Sequence, residues 1–213
     1  MGLEKRDNFT TYATIISDGS IRVKTSESDP DAVKREYELS DGTTGVKYEL
    51  KYDNLRGMIK DIDFREGDFG QQMFVTIDDI TLAVGTDNSF GRDLMSKLPG
   101  VDLTKEVNLV PYAFENDKRK TQKGITVYQT DEENNPQKIA NFFLNEETKK
   151  TDLHDYPQVE KEYNEMDKDD WKLYFITVKK FLVKYIESNI KPQLEANSGV
   201  AVDDIDFGDT PQE

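Results

Sequence analysis

Between residues 10 and 145 the chain consists largely of short runs in which polar and apolar residues alternate, rich in Val, Ile, Thr, Tyr and Phe. This period of two is the feature that most limits its fold. Successive side chains of a strand point to opposite faces, so such runs bury one face and leave the other in water, whereas a helix needs a period of 3.6. Turn residues separate the runs. Asp18-Gly19 sits between 10–16 and 21–24 and predicts a hairpin. Asp41-Gly42 precedes 46–52, where Val46, Tyr48, Leu50 and Tyr52 alternate with Lys47, Glu49 and Lys51. A long run, 55–66, carries Gly57 inside it, the mark of a bend or bulge. Further strands are expected at 71–78 and 80–84.

The alternation breaks at 88–100, where Phe90, Leu94 and Leu98 fall at helical spacing between a capping Asn88 and the stop Pro99-Gly100. Two more strands follow, 106–114 and 124–129. Three strands, a short helix and two strands is the order of an OB barrel, whose helix lies between the third and fourth strands. The expected fold is therefore mainly β with α: an OB-fold-like five-stranded barrel with extra N-terminal strands, over residues 1–145. An acidic polar connector, 146–170, leads to the strongest helical pattern of the chain, 171–194. Asp169-Asp170-Trp171 opens it and Pro192 ends it, with Trp171, Phe175, Val178, Leu182, Tyr185 and Ile186 on one face. That face is expected to pack on the barrel, a dimerisation helix being the alternative. Residues 195–213 are small, polar and acidic, too poor in apolar groups to offset their ordering entropy, and are expected to be a disordered tail.

The net charge of −15 over 213 residues by itself argues against a polyanion as ligand. Its distribution changes that inference. Residues 195–213 carry six acids and no base, and 146–170 carry ten acids against four bases, leaving only −3 for everything else. Within that remainder Lys118, Arg119, Lys120 and Lys123 cluster between the last two strands of the barrel, and 171–194 hold five lysines against Glu187.

Several chemistries find no residues to carry them. There is no cysteine and a single histidine, His154, so disulfides, thiolate metal sites and cysteine nucleophiles are absent. Asp61, Asp63, Glu66, Asp78 and Asp79 lack the EF-hand pattern and read as solvated turn carboxylates. Asp41 with Glu49-Leu50-Lys51 loosely matches a metal-dependent nuclease motif, but the strand at 46–52 already accounts for those positions. Gly67-Asp68-Phe69-Gly70 has neither the lysine nor the helix of a phosphate loop. No cofactor and no enzymatic activity are expected. No apolar run is long enough to span a bilayer and the start, MGLEKRDNFTTY, has no secretory signal, so the expected location is the cytoplasm where the chain is made.

Binding is the remaining class. OB barrels hold single strands by stacking bases on outward aromatic rings beside a cationic groove. In 72–77, alternation puts Met73, Val75 and Ile77 in the core and leaves Phe74 outward between Gln72 and Thr76. Tyr128 shares a face with Gly124 and Thr126, and Tyr112 stands beside Phe114. Phe74, Tyr112 and Tyr128, with Lys118, Arg119, Lys120 and Lys123, are the candidate nucleic-acid contacts. In the tail, Asp203-Asp204-Ile205-Asp206-Phe207 is an acidic run holding two apolar anchors, suited to a pocket ringed by bases on a partner.

That tail resembles the acidic tip of bacterial and phage single-stranded DNA-binding proteins, with Asp206 where the bacterial tip often has proline and with 208–213 following the Phe. Together with the strand order, the helix and the tail, the chain resembles a phage-type single-stranded DNA-binding protein. The resemblance implies sequence-independent binding and protection of single-stranded DNA in phage DNA replication or recombination. It also implies recruitment of replication or recombination proteins through the tail; a homodimer is compatible with it. The competing expectation is a β-rich protein-interaction or virion-associated structural protein.

Overall fold

The structure is a computed structural model that describes residues 10–39, 41–68, 70–116, 120–159, 161–162 and 164–197. It is mainly β with helices. The N-terminal hairpin forms where Asp18-Gly19 predicts it, joining β1 (Thr11–Ile15) to β2 (Ile21–Lys24). Gly19 takes a left-handed φ of 84°, and the Asp18 carboxylate accepts hydrogen bonds from both the Ser20 N–H (2.8 Å) and its hydroxyl (2.6 Å). A second hairpin pairs β3 (Val33–Glu38) with β4 (Thr44–Tyr52) around Gly42.

The run with Gly57 is broken into β5 (Leu55–Gly57) and β6 (Ile59–Gly67), and the meander continues through β7 (Gly70–Ile77) and β8 (Ile80–Gly85). Gly57 has φ 153°, and a Cβ there would collide with the Asp78 carboxylate. A bulge between Ile59 and Asp61 adds to the bend. Helix α1 (Ser89–Lys97) follows, capped by the Asn88 side chain on the Gly91 N–H at 2.8 Å and prolonged by a 3-10 turn, Leu98–Gly100. Then come β9 (Val107–Glu115), β10 (Thr121–Thr130) and β11 (Pro136–Lys138). Last are α2 (Lys168–Asn189), opened by a capping box between Asp167 and Asp170, and α3 (Lys191–Asn197), which starts at the Lys191-Pro192 step that ends α2.

The strands make a seven-stranded sheet of order β3-β4-β2-β1-β8-β7-β6 and a four-stranded sheet of order β11-β10-β9-β5. The bent β5-β6 stretch belongs to both, β5 pairing with β9 and β6 with β7. All ladders are antiparallel except β1 on β8. Among the described residues no ladder joins β8 to β10, and the barrel is not closed.

Local chemistry accounts for the opening. The edge of β8 is taken by β1. The edge of β10 is satisfied by α1: the Asp93 carboxylate accepts from the Ile125 N–H at 2.7 Å, and the Lys97 ammonium donates to the Ile125 carbonyl at 2.6 Å and to Asp93 at 2.8 Å. Asn116 N–H donates to the Lys120 carbonyl, so the even-numbered residues of β10 bond to β9, and Ile125, opposite Pro111, turns its N–H and carbonyl away from β9 toward α1.

Alternation supplies the core. Ala13, Ile21, Ile62, Met73, Val75, Ile77 and Leu82 of the large sheet face Val107, Leu109, Ile125 and Val127 of the small one. Leu94, Met95 and Leu98 plug one end, and Val178, Leu182, Val183 and Ile186 of α2 cover them. Phe143, fully buried, anchors the connector through ring contacts with Tyr156, Phe181 and Tyr185. His154 is exposed and stacks on Phe142 at 4.3 Å. The aromatic start of α2 packs less closely than its helical period implies: Phe175 is 38% exposed and Leu173 66%.

Candidate functional site

The candidate contacts divide between the two sheets. Phe74 stands on the outer face of the seven-stranded sheet, its neighbours Met73 and Val75 buried as alternation requires. Tyr112 and Tyr128 lie on the outer face of the four-stranded sheet. The Tyr112 ring covers Gly124, where a Cβ would strike both its hydroxyl and Asp93; burial first and then the Asp93 charge push its phenol upward. Tyr112 also lies 5.8 Å from the Phe114 ring. Tyr128 borders a recess of about 390 Å³ with Arg56, Asn108 and Pro136. Lys123 pairs with Ala113 and so points to the face opposite Tyr112 and Tyr128. Lys120 is exposed in the β9-β10 hairpin, where its N–H donates to the Asn116 side chain at 2.9 Å. Lys118, Arg119 and the tail residues Asp203, Asp204, Ile205, Asp206 and Phe207 lie outside the described residues.

On the sheet face that carries Phe74 the register brings together residues that are scattered in sequence. Directly paired residues share a face, so the outer face of the large sheet presents Arg35 and Tyr37 from β3, Lys47, Glu49 and Lys51 from β4, and Arg22 and Lys24 from β2. It continues with Tyr12 and Thr14 from β1, Thr81 from β8, Phe74 and Thr76 from β7, and Asp61, Asp63 and Arg65 from β6. Six bases thus face three acids, in a chain of net charge −15.

Aromatic rings are interleaved with those bases. Tyr12 is 52% exposed and meets Phe74 edge-on at 6.5 Å, and the Arg65 guanidinium lies 4.9 Å from the centre of the Phe74 ring. At the other end of the sheet the Lys47 ammonium sits 4.7 Å over Tyr37.

Hydrogen bonds fix part of this surface. Arg65 donates to Asp63 at 2.8 Å, which lowers the Asp63 carboxyl and raises the guanidinium, and Lys191 of α3 approaches the same carboxylate at 3.6 Å. Arg35 grips both oxygens of Glu49 at 2.8 Å, holding that buried carboxyl below its ordinary range. Arg22 is nine-tenths buried, its Nε donating to Ser20 Oγ at 3.0 Å. Among the described residues Lys24 and Lys47 form no ion pair, and Lys51 only approaches Asp18 at 3.9 Å, so these three ammonium groups are disposed to meet an anion from solvent.

The sequence signal for this face was present in β4, where Lys47, Glu49 and Lys51 form its polar side; what joins them to Tyr12 and Phe74 is the strand order. The nuclease-like positions are committed elsewhere. Asp41 caps Thr43 through its N–H (2.9 Å) and hydroxyl (2.6 Å), and Glu49 is held by Arg35. Among the described residues no group of three or more His, Asp or Glu is placed to hold a metal, and no helix is long and apolar enough to cross a membrane. Comparison of the chain with family models, curated proteins and solved structures finds no match.

Proposed function

We propose that the protein binds single-stranded DNA without sequence preference, as a non-enzymatic accessory of phage DNA replication or recombination in the host cytoplasm, along the outer face of the seven-stranded sheet. One observation carries the reading: an exposed ring, Tyr12, and two half-buried ones, Phe74 and Tyr37, share one sheet face of a strongly acidic chain with a surplus of cations. Bases stack on rings irrespective of sequence while lysines neutralise phosphates, which is how single strands are held. The acidity is concentrated in the connector and tail, away from the positions of this face in sequence. The order β5-β6, β7, β8, α1, β9, β10, with the bent first strand shared between sheets, supports an OB-type core left open where β1 has joined β8. In this reading the tail, with Ile205 and Phe207 as anchors, recruits replication or recombination proteins.

Fluorescence titration of a labelled oligo(dT) against the matching duplex tests it. Tyr12→Ala and Phe74→Ala should each weaken binding by about 1–3 kcal/mol, the usual value of one base–ring stack. Neutralising Lys24, Lys47 and Lys51 together should flatten the slope of log K against log salt by about 2, from ~0.7 per phosphate contact on a single strand. Absence of binding at low salt refutes the proposal. Binding that ignores all five positions would move the site to the four-stranded sheet.

A further inference from the structure

β3 is the outermost strand of the large sheet, and among the described residues no strand lies on its far side. Leu39 N–H donates to the Thr43 carbonyl at 2.8 Å, so in the β3-β4 ladder the odd-numbered residues of β3 turn their backbone groups toward β4. Lys34, Glu36 and Glu38 therefore aim three N–H and three carbonyl groups at the open edge. An unprotected edge of this kind is a template for another strand. Natural edges are commonly blunted by charge of one sign, whereas β3 carries its cations in the first half and its anions in the second: Val33-Lys34-Arg35-Glu36-Tyr37-Glu38.

That order is complementary to itself when reversed. We propose that two copies of the protein pair through β3, antiparallel about a two-fold axis at Glu36, making one continuous fourteen-stranded sheet. In this register Lys34 lies opposite the partner's Glu38, Arg35 opposite the partner's Tyr37, and Val33 opposite the partner's Leu39. Val33 and Leu39 are 44% and 51% exposed in the single chain, and the pairing covers both. The residues whose backbone groups face outward fall in the hydrogen-bonded positions, so every free group in the strand gains a partner. The two Glu36 side chains meet on the axis, each accompanied by its own Lys34 at 3.0 Å. Sliding the strands by one pleat one way sets Glu36 against the partner's Glu38, and sliding the other way sets Arg35 against Arg35 and separates Val33 from the partner's Leu39. The ladder is short, at the small end of specific interfaces (below about 1,200 Å²), and the dimer is expected to dissociate on dilution. Pairing would also set the two cationic faces side by side, although it does not depend on what those faces bind.

The chain has no cysteine, which makes the test direct. In the full-length protein, Glu36→Cys puts two thiols on the axis with Cα atoms about 5.5 Å apart, within disulfide reach. Lys34→Cys leaves its two copies four residues out of step, roughly 13 Å apart, out of reach. Mild oxidation should give a covalent dimer from Glu36→Cys and little from Lys34→Cys. In sedimentation velocity of the cysteine-free chain, Lys34→Glu should shift the population to monomer and adding Glu38→Lys should restore the dimer. The proposal is overturned by a chain that stays monomeric to ~100 µM, by equal cross-linking at both positions, or by a dimer indifferent to Lys34→Glu.

Discussion

Lys97 offers the sharpest test of how this open barrel is held together. Its side chain is 9% exposed, and its ammonium bonds both Asp93 and the Ile125 carbonyl, while Asp93 bonds the Ile125 N–H. Lys97→Met keeps most of the buried stem and deletes the charge. The Ile125 carbonyl then has no partner at a fully buried position, costing about 1–3 kcal/mol. Asp93 keeps one hydrogen bond but loses its counter-charge; because it is 26% exposed, water recovers part of the 3–5 kcal/mol typical of breaking a buried pair. The net expectation is a loss of about 3 kcal/mol, or roughly 6–12 °C in Tm for a chain of this size. An isolated buried ion pair can often be replaced on both sides by apolar residues with no loss. Here Asp93→Leu combined with Lys97→Met should recover nothing, because both backbone groups of Ile125 would be orphaned. Urea unfolding monitored by circular dichroism measures both variants. If Lys97→Met costs less than about 1 kcal/mol, or the double variant regains wild-type stability, α1 is not what satisfies the edge of β10.

Acid should loosen the β3-β4 hairpin in particular. The Glu49 carboxyl is lowered in the folded state by Arg35, so its contribution is present above the unfolded value of about 4.3 and is lost as pH falls through the lowered one; Glu49→Gln should flatten the pH dependence of unfolding below pH 5. Gly124→Ala should destabilise the β9-β10 hairpin by about 1–3 kcal/mol, since its methyl would strike Asp93 and the Tyr112 hydroxyl, and an unchanged Tm would refute that packing. Truncation after Asn197 removes Asp203, Asp204, Asp206, Asp209 and Glu213 and keeps α3 whole. It should raise affinity for oligo(dT) at low salt with an advantage that vanishes as salt screens the tail, and equal affinity at every salt concentration would show that the tail does not compete with DNA.

The sequence disclosed what local chemistry decides. Asp18-Gly19, Asp41-Gly42, Asn88 and Asp169-Asp170 act within a few residues of themselves, so each marks an element wherever the rest of the chain goes. β3 escaped because its arm stands off the core: Val33-Lys34-Arg35-Glu36-Tyr37-Glu38 buries neither face, and the apolar alternation that reveals a half-buried strand is missing. The parallel pairing of β1 with β8 was equally hidden. It joins residues 11–14 to 80–83, and nothing in either strand specifies a neighbour so far away. Whether a barrel closes depends on which edges remain free, and here the Asp93-Lys97 pair and β1 occupy both edges that closure would need.

The same distinction separates the legible half of the candidate site from the hidden half. Phe74 could be read as outward because Met73, Val75 and Ile77 define its strand's inner face locally. The cations of its sheet face come from four strands, one or two residues from each, and no window of sequence contains more than a fragment of them. A contiguous basic cluster such as 118–123 is conspicuous in sequence, yet Lys123 points away from Tyr112 and Tyr128. The bases that share a face with the rings are Lys24, Lys47, Lys51 and Arg65, Lys47 lying over Tyr37 and Arg65 over Phe74, each flanked by acids or apolar residues in its own strand. Pleating therefore does what net charge conceals: it sends bases to one face of the large sheet and leaves the acids of the connector and tail elsewhere in the chain, so a protein of charge −15 can still offer an anion a cationic surface.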